Sequence, residues 1–171
     1  MSQITKYEEV LTKTRLVRCM SAINDGAWQF GGGSTPESKS KFWYMNLMHE
    51  PLFSKIIFED IKKMLCCDFI LDQCYANGQT YGQDGSFHYD GTSQVFKDEW
   101  TFLLYLTNVG GNTEILIDNE KETIMSIEPR INTAVLFPQN LMHRGLAPTR
   151  NCYDLRVTVA FKMTEQVSLP F

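Results

Sequence analysis

Two periodicities divide the chain. Before about residue 66 the apolar positions recur at helical spacing, and beyond it they alternate in short segments. Leu16, Val17, Met20 and Ile23 predict a helix in a helical or mixed N-terminal third, with Asn24-Asp25-Gly26 as its stop. A clearer helix is predicted over 51–65. Pro51 suits a first turn, and Phe53, Ile56, Ile57, Ile61, Met64 and Leu65 mark one face, with Asp60, Lys62 and Lys63 outside it. Between the two, Gly31-Gly32-Gly33-Ser34-Thr35-Pro36 followed by Ser38 and Ser40 predicts a flexible internal loop that could move over a site. The nearby Trp28, Phe42 and Trp43 are expected in the core.

From Asp68 onward, β-branched and aromatic segments alternate with turn signals at Asn77-Gly78, Asp90-Gly91 and Gly110-Gly111-Asn112. Strands are predicted over 69–75, 87–89, 101–107, 114–117, 123–127, 133–137 and 153–162. The βαβ alternation of a parallel sheet is missing, and no internal repeat is visible. The fold class that follows is mainly β with flanking helices, a sandwich or jelly roll. At 171 residues the expectation is one domain, with helical support over about 1–66 and a jelly-roll core over about 67–165.

Composition narrows the function. A net charge of −4 argues against a partner bound through a phosphate backbone, and no apolar run approaches the ~18 residues of a membrane span. The five cysteines, an odd number without C-x-x-C spacing, are expected to be small buried hydrophobes in a reduced, cytoplasmic setting. Arg144, Arg150 and Arg156 are too few for a nucleic-acid footprint. With only three histidines in the chain, any metal chemistry must be economical.

His88-Tyr89-Asp90 is the first candidate. On a strand, residues i and i+2 point to one face, so His88 and Asp90 can share a metal while Tyr89 points away. The pair alone is a weak signal, equally readable as a strand running into an Asp-Gly turn. A third ligand is available in His143, just beyond the predicted strand at 133–137. Two histidines and one carboxylate make the facial triad of non-haem Fe(II) sites, which leaves adjacent positions for a co-substrate and dioxygen. A closed zinc site would need a fourth protein ligand. His49, before the 51–65 helix, reads as a terminus or packing residue. In the last predicted strand Tyr153, Leu155, Val157, Val159 and Phe161 alternate with Asp154, Arg156, Thr158, Ala160 and Lys162. The mixed face is a solvent face if the strand stands alone. If His143 binds iron, that face instead turns inward, and Arg156 can take a carboxylate bidentately with Thr158 adding a hydroxyl.

These residues together resemble the 2-oxoglutarate- and Fe(II)-dependent dioxygenases, in particular small proteins with a prolyl 4-hydroxylase-like domain. The resemblance covers about 74–163. His88 and Asp90 match the family's His-x-Asp, and His143, in His143-Arg144-Gly145-Leu146-Ala147-Pro148, matches its distal histidine. Arg156 matches the basic residue for the 2-oxoglutarate 5-carboxylate, with Arg150 as the alternative. Cys74-Tyr75-Ala76-Asn77-Gly78 looks like the family's tyrosine-bearing strand, Tyr105-Leu106-Thr107 like its Tyr-Leu-Asn segment, and Gly110-Gly111-Asn112-Thr113-Glu114 like its glycine-rich turn. The intervals 78–87 and 143–156 are longer than is usual in prolyl hydroxylases.

The resemblance implies a double-stranded β-helix in which His88, Asp90 and His143 hold Fe(II). Arg156, Tyr105, Thr158 and Tyr75 would line the 2-oxoglutarate site, with O2 as oxidant and ascorbate as an accessory reductant. It implies hydroxylation of an unactivated C–H bond, with a prolyl residue of a peptide or protein as first substrate and a small molecule as the other. Asp90, being an acid, argues against the halogenating branch. The alternatives are a cupin-like non-redox metal protein, which would want more histidines, a nucleic-acid dealkylase, and a metal-free interaction module.

Overall fold

In the computed structural model, which describes residues 4–91, 98–118 and 122–166, ten strands form two antiparallel sheets. Their order in the chain is β1 (Thr5–Tyr7), β2 (Gln29–Gly32), β3 (Phe42–Asn46), β4 (Phe69–Gln79), β5 (Glu99–Tyr105), β6 (Thr113–Asp118), β7 (Thr123–Ile127), β8 (Thr133–Pro138), β9 (His143–Gly145) and β10 (Arg156–Glu165). The major sheet runs β1-β8-β5-β10-β4-β3-β2 and the minor sheet β7-β6-β9.

The register of the major sheet separates its two faces. Thr158 lies opposite Tyr105 and Asn77, Ala160 opposite Leu103 and Tyr75, and Lys162 opposite Thr101 and Gln73. Opposite residues share a face, so a mostly polar row crosses the centre of the sheet and looks toward the minor sheet. The other face carries Phe102, Leu104, Val157, Val159 and Phe161, all buried beneath the helices. This is the jelly roll expected from the sequence: two sheets enclosing a cavity, with helices outside the larger one.

The helices are α1 (Lys13–Asn24), a π-helical turn (Leu52–Ile57), and α2 (Phe58–Leu65), which continues from that turn. The turn adjusts the register of the apolar face, so that Phe53, Ile57, Phe58 and Ile61 are all buried against the sheet. In α1 the inward residues are Cys19 and Ile23, while Val17 is exposed. Thr12 caps this helix by accepting the Arg15 amide, and the Arg15 guanidinium meets Asp60 of α2 at 3.2 Å.

Several expectations need correction. The N-terminal third is not only helical support: β1, β2 and β3 extend both edges of the major sheet. Gly31 and Gly32 belong to β2, so the glycine-rich stretch begins as a strand. Asn77-Gly78 is not a turn but the interior of β4. A Cβ there would meet Leu155 Cδ2 at 2.8 Å and the Trp28 ring at 3.0 Å on the helix-side face, so glycine lets these two side chains close on the strand. Residues 87–89 form no strand; His88 makes a single antiparallel bridge to His143. The last strand starts at Arg156, and Tyr153 is 94% exposed.

Of the aromatic residues expected in the core, Phe42 is buried and Trp28 packs against its edge, whereas Trp43 is exposed. Cys19 and Cys74 are buried, but Cys66 and Cys67 follow α2 in the open and Cys152 is half-buried. Among the described residues no helix is long and apolar enough to cross a membrane.

Phe53 is fully buried in the helix-side core and is not among the residues lining the cavity. Phe53→Ala is expected to destabilise the fold by about 3–5 kcal/mol, read as a lower urea midpoint. A midpoint within error of wild type would show that the helices do not brace the sheet.

Candidate active site

A cavity of about 600 Å³ lies between the sheets. His88, Asp90 and His143 line it, and their candidate ligand atoms fall within 4.8 Å of one another. The bridge that replaces the expected strand brings them together. The His88 amide donates to the His143 carbonyl at 3.0 Å and the reverse bond is 2.9 Å, so the two rings sit side by side with centroids 4.4 Å apart. The Asp90 amide donates to the Gln139 carbonyl, which fixes the start of the following turn.

The hydrogen-bond pattern selects the ring tautomers. His88 Nδ1 lies 2.9 Å from the Ser86 carbonyl and His143 Nδ1 3.0 Å from the Leu141 carbonyl. A carbonyl only accepts, so each Nδ1 carries the proton and each Nε2 is turned toward Asp90. His88 Nε2 is 3.5 Å from Asp90 Oδ1, and His143 Nε2 is 3.4 Å from Oδ2. Convergent acceptor atoms of this kind need a cation or added protons between them, and two imidazoles with one carboxylate suit a divalent transition metal.

Asp90 is almost completely buried, which by itself would raise its pKa; His143 and His88, when protonated at Nε2, and Lys162 outweigh burial and hold its carboxyl well below the usual range. Thr101 Oγ1 donates to Oδ2 at 2.7 Å and Lys162 Nζ meets Oδ1 at 2.9 Å. The alternation of the last strand puts Lys162 on the inner face without marking a role for it, and nothing in the sequence marks Thr101. Both positions follow from the alternation that puts Arg156 inside.

Arg156 lies at the other end of the cavity, 2% exposed. Its Nε donates to the Gly111 carbonyl at 2.5 Å, Nη1 to Gln79 Oε1 at 2.8 Å and Nη2 to Thr113 Oγ1 at 2.9 Å. Every one of these acceptors is neutral. Burial lowers its pKa to about 10, so the guanidinium is still cationic at neutral pH. Gly111 has φ +95°, and a Cβ there would run into the Leu146 carbonyl, so the glycine-rich turn lets the backbone close over Arg156.

Gln79 is a further residue of the site that no motif marks. It is buried, and its amide nitrogen donates to the Gln83 and Gly145 carbonyls, which orients the oxygen toward Arg156. A glutamine at the end of an apolar strand carries no signal of this in the sequence.

Tyr75 and Thr158 line the cavity. Burial, reinforced by Asp90, raises the Tyr75 pKa, so its phenol remains a donor. Tyr105 departs from expectation. It is fully buried in the core between the sheets, its ring 6.0 Å from the Arg156 guanidinium carbon, and it is not one of the lining residues. Its hydroxyl has no hydrogen-bond partner among the described residues. Arg150 is exposed in a turn, and Arg156 displaces it as the basic residue of the site. His49 is exposed beside the π-helical turn and takes no part.

Two sheets enclosing a His-Asp-His cluster at one end of a cavity and a buried, unneutralised arginine at the other define a non-haem metal oxygenase of the jelly-roll type. The chain belongs to the 2OG-Fe(II) oxygenase superfamily, whose model matches residues 73–161, and the family's cofactors are Fe(II) and 2-oxoglutarate, with O2.

Solved structures agree on the fold. A 2OG-Fe(II) oxygenase-family oxidoreductase from Burkholderia pseudomallei is 10% identical with a TM-score of 0.73, over 95% of this chain and 84% of that one. A viral collagen prolyl hydroxylase from Paramecium bursaria Chlorella virus-1 is 17% identical with a TM-score of 0.63, over 96% of each chain. A Trichoplax adhaerens prolyl hydroxylase, solved with a hypoxia inducible factor peptide, is 12% identical with a TM-score of 0.70, over 95% of this chain and 79% of that one. No curated protein matches the sequence.

A ligand that binds the native state raises its melting temperature, so Mn(II) should stabilise the wild-type protein, and His88→Ala, Asp90→Ala and His143→Ala should each remove that shift. A variant that keeps the full shift would exclude its residue from the metal set.

Proposed function

We propose that the protein is a hydroxylase that couples oxidation of an unactivated C–H bond to oxidative decarboxylation of 2-oxoglutarate, with a prolyl ring as the first candidate substrate. The observation that carries this reading is the charge of Arg156. A guanidinium buried among neutral acceptors is costly unless an anion completes its environment. Three of its five N–H groups are used by Gly111, Gln79 and Thr113, which leaves two for a ligand. A carboxylate from the cavity side satisfies these donors together, and 2-oxoglutarate supplies one at each end.

His88, Asp90 and His143, which all line the cavity, would hold the ion. Arg156 binds the distal carboxylate of 2-oxoglutarate, and Thr158, on the same face of β10, lines its path. Thr101 keeps Asp90 oriented through the bond to Oδ2. Bound Fe(II) with 2-oxoglutarate and O2 supplies the oxidising chemistry, one oxygen atom entering the new hydroxyl and the other the succinate formed with CO2. Gln29, Gln73 and Asn77 present carboxamides along the cavity wall. The prolyl reading is supported by the aromatic rim: Phe30 lines the mouth and packs edge-on against Trp43 at 5.3 Å, a platform suited to a saturated ring.

Fe(II)-loaded protein should convert 2-oxoglutarate to succinate even without substrate, and His88→Ala or His143→Ala should abolish this turnover; wild-type turnover in either would overturn the assignment of the iron ligands. Arg156→Met should weaken 2-oxoglutarate binding by about 10- to 100-fold, the loss of a charge-assisted hydrogen-bond pair. Calorimetric titration of the Mn(II)-loaded protein measures it, and Arg156→Lys should recover part of the affinity.

A further inference from the structure

Lys162 has no place in the reaction as derived above. It faces the same cavity as Arg156, six residues along the same strand, so their Cα atoms are roughly 20 Å apart. One five-carbon diacid cannot have its far end read by both. The Lys162 ammonium stands over the Tyr75 ring at 5.5 Å and meets Asp90 Oδ1 at 2.9 Å. It is nearly buried, with 14% of its side chain exposed. A β-bulge in β4 falls opposite it, where the pairing passes from Lys162–Gln73 to Met163–Leu71. Thr164 Oγ1 donates to the carboxylate of Asp72, the extra residue, at 2.7 Å and secures the bulge. Bulges increase local twist and re-aim neighbouring side chains, and this one sits beside the lysine.

The charges of the cavity give Lys162 a purpose. Among the described lining residues, Asp90 is the only carboxylate, and Arg156 and Lys162 are the only basic side chains besides the two imidazoles. Asp90 and 2-oxoglutarate together bring three negative charges. A divalent metal, Arg156 and Lys162 bring four positive ones, since the histidines ligate as neutral rings. One positive charge is left over, at the substrate side of the metal. When Asp90 gives its charge to the metal it is a weaker partner for Lys162, and in a low-dielectric cavity the ammonium then favours another anion.

We propose that Lys162 is a specificity-determining residue that binds a carboxylate of the primary substrate, so that the oxidised molecule is a small carboxylic acid or amino acid, or the C-terminal residue of a peptide. The inference rests on the hydroxylase reading and deepens it. Tyr75, a protonated phenol beneath the ammonium, is a second donor at this subsite, and Tyr44, its ring 5.8 Å away, continues the wall. An uncharged residue in the middle of a polypeptide would leave Lys162 with no anion but Asp90, whose charge the metal shares.

The test is calorimetric titration of Mn(II)- and 2-oxoglutarate-loaded protein, without turnover. The probes are free L-amino acids and short carboxylic acids, each beside its carboxamide, with glycyl-L-proline and glycyl-L-prolinamide as the peptide pair. At least one carboxylate should bind, and its amide at least about tenfold more weakly. Lys162→Met should lose that preference and Lys162→Arg should restore it. Binding of glycyl-L-proline with silence from the free acids assigns the carboxylate to a peptide terminus; the opposite pattern assigns it to a metabolite.

Equal binding of acids and amides, silence from every probe, or an acid preference that survives Lys162→Met would overturn the proposal. So would loss of Mn(II) or 2-oxoglutarate binding in Lys162→Met, because Lys162 would then belong to the cofactor site; retained binding also shows that the variant is folded. The hydroxylase reading fails separately, through absence of succinate from the wild-type Fe(II) protein.

Discussion

A cation buried without a counter-ion constrains the structure around it. The Arg156 guanidinium is held by the Gly111 carbonyl, Gln79 and Thr113, drawn from the turn before the minor sheet, from the end of β4 and from β6. These contacts join the two sheets at their deep end. They satisfy the geometry of the fork and leave its charge unanswered. An acidic partner would have made a more stable apoprotein and a useless cavity, because the site would carry its own anion. Neutral acceptors keep Arg156 in place and keep it available for a ligand.

That arrangement is possible because the major sheet is apolar on one face only. Phe53, Ile57, Phe58 and Ile61, with Cys19 and Ile23 of α1, cover Phe102, Leu104, Val159 and Phe161. Burial on this side supplies much of the hydrophobic stabilisation, so the opposite face is free to carry Thr101, Tyr75, Asn77, Arg156, Thr158 and Lys162. A smaller apolar cluster of Tyr105, Ile115, Ile127, Val135 and Phe137 closes the gap between the sheets beside the cavity. Phe137 also packs on the His143 ring at 4.7 Å, so this second core steadies a candidate metal ligand directly.

Much of this was legible in the sequence because side-chain alternation is a strong code. The 156–162 segment declared two faces, and the only question was which one met solvent. The His-x-Asp pair and His143 then pointed inward together. What the sequence concealed depended on non-local pairing. Residues 87–89 have the composition of a strand, yet the chain gives them one partner, His143, and a bridge suffices to align the rings. Asn77-Gly78 has the composition of a turn, but it lies within β4, where the glycine leaves room for Leu155 and Trp28. Phe42 to Asn46 was hidden among polar and glycine-rich neighbours, and its partners, β2 and β4, lie elsewhere in the chain. Gln79 and Thr101 carry no signature of their own, because an amide or hydroxyl acquires its role from what stands opposite.

The inner row of β10 reads as a gradient, and its smallest member is as informative as its charged ends. Arg156 lies at the dry end, Thr158 follows it, Ala160 stands level with Tyr75 and Leu103, and Lys162 reaches the metal side. Ala160 is 3% exposed although it lines the cavity, so its methyl group forms a floor rather than a projection. A leucine there would stand upright between Tyr75 and Leu103 and occupy the volume between the two charged ends. The cavity therefore depends on a side chain that makes no polar contact: cations six residues apart on one strand face can serve different ligands only if the residue between them is small enough to let both ligands enter.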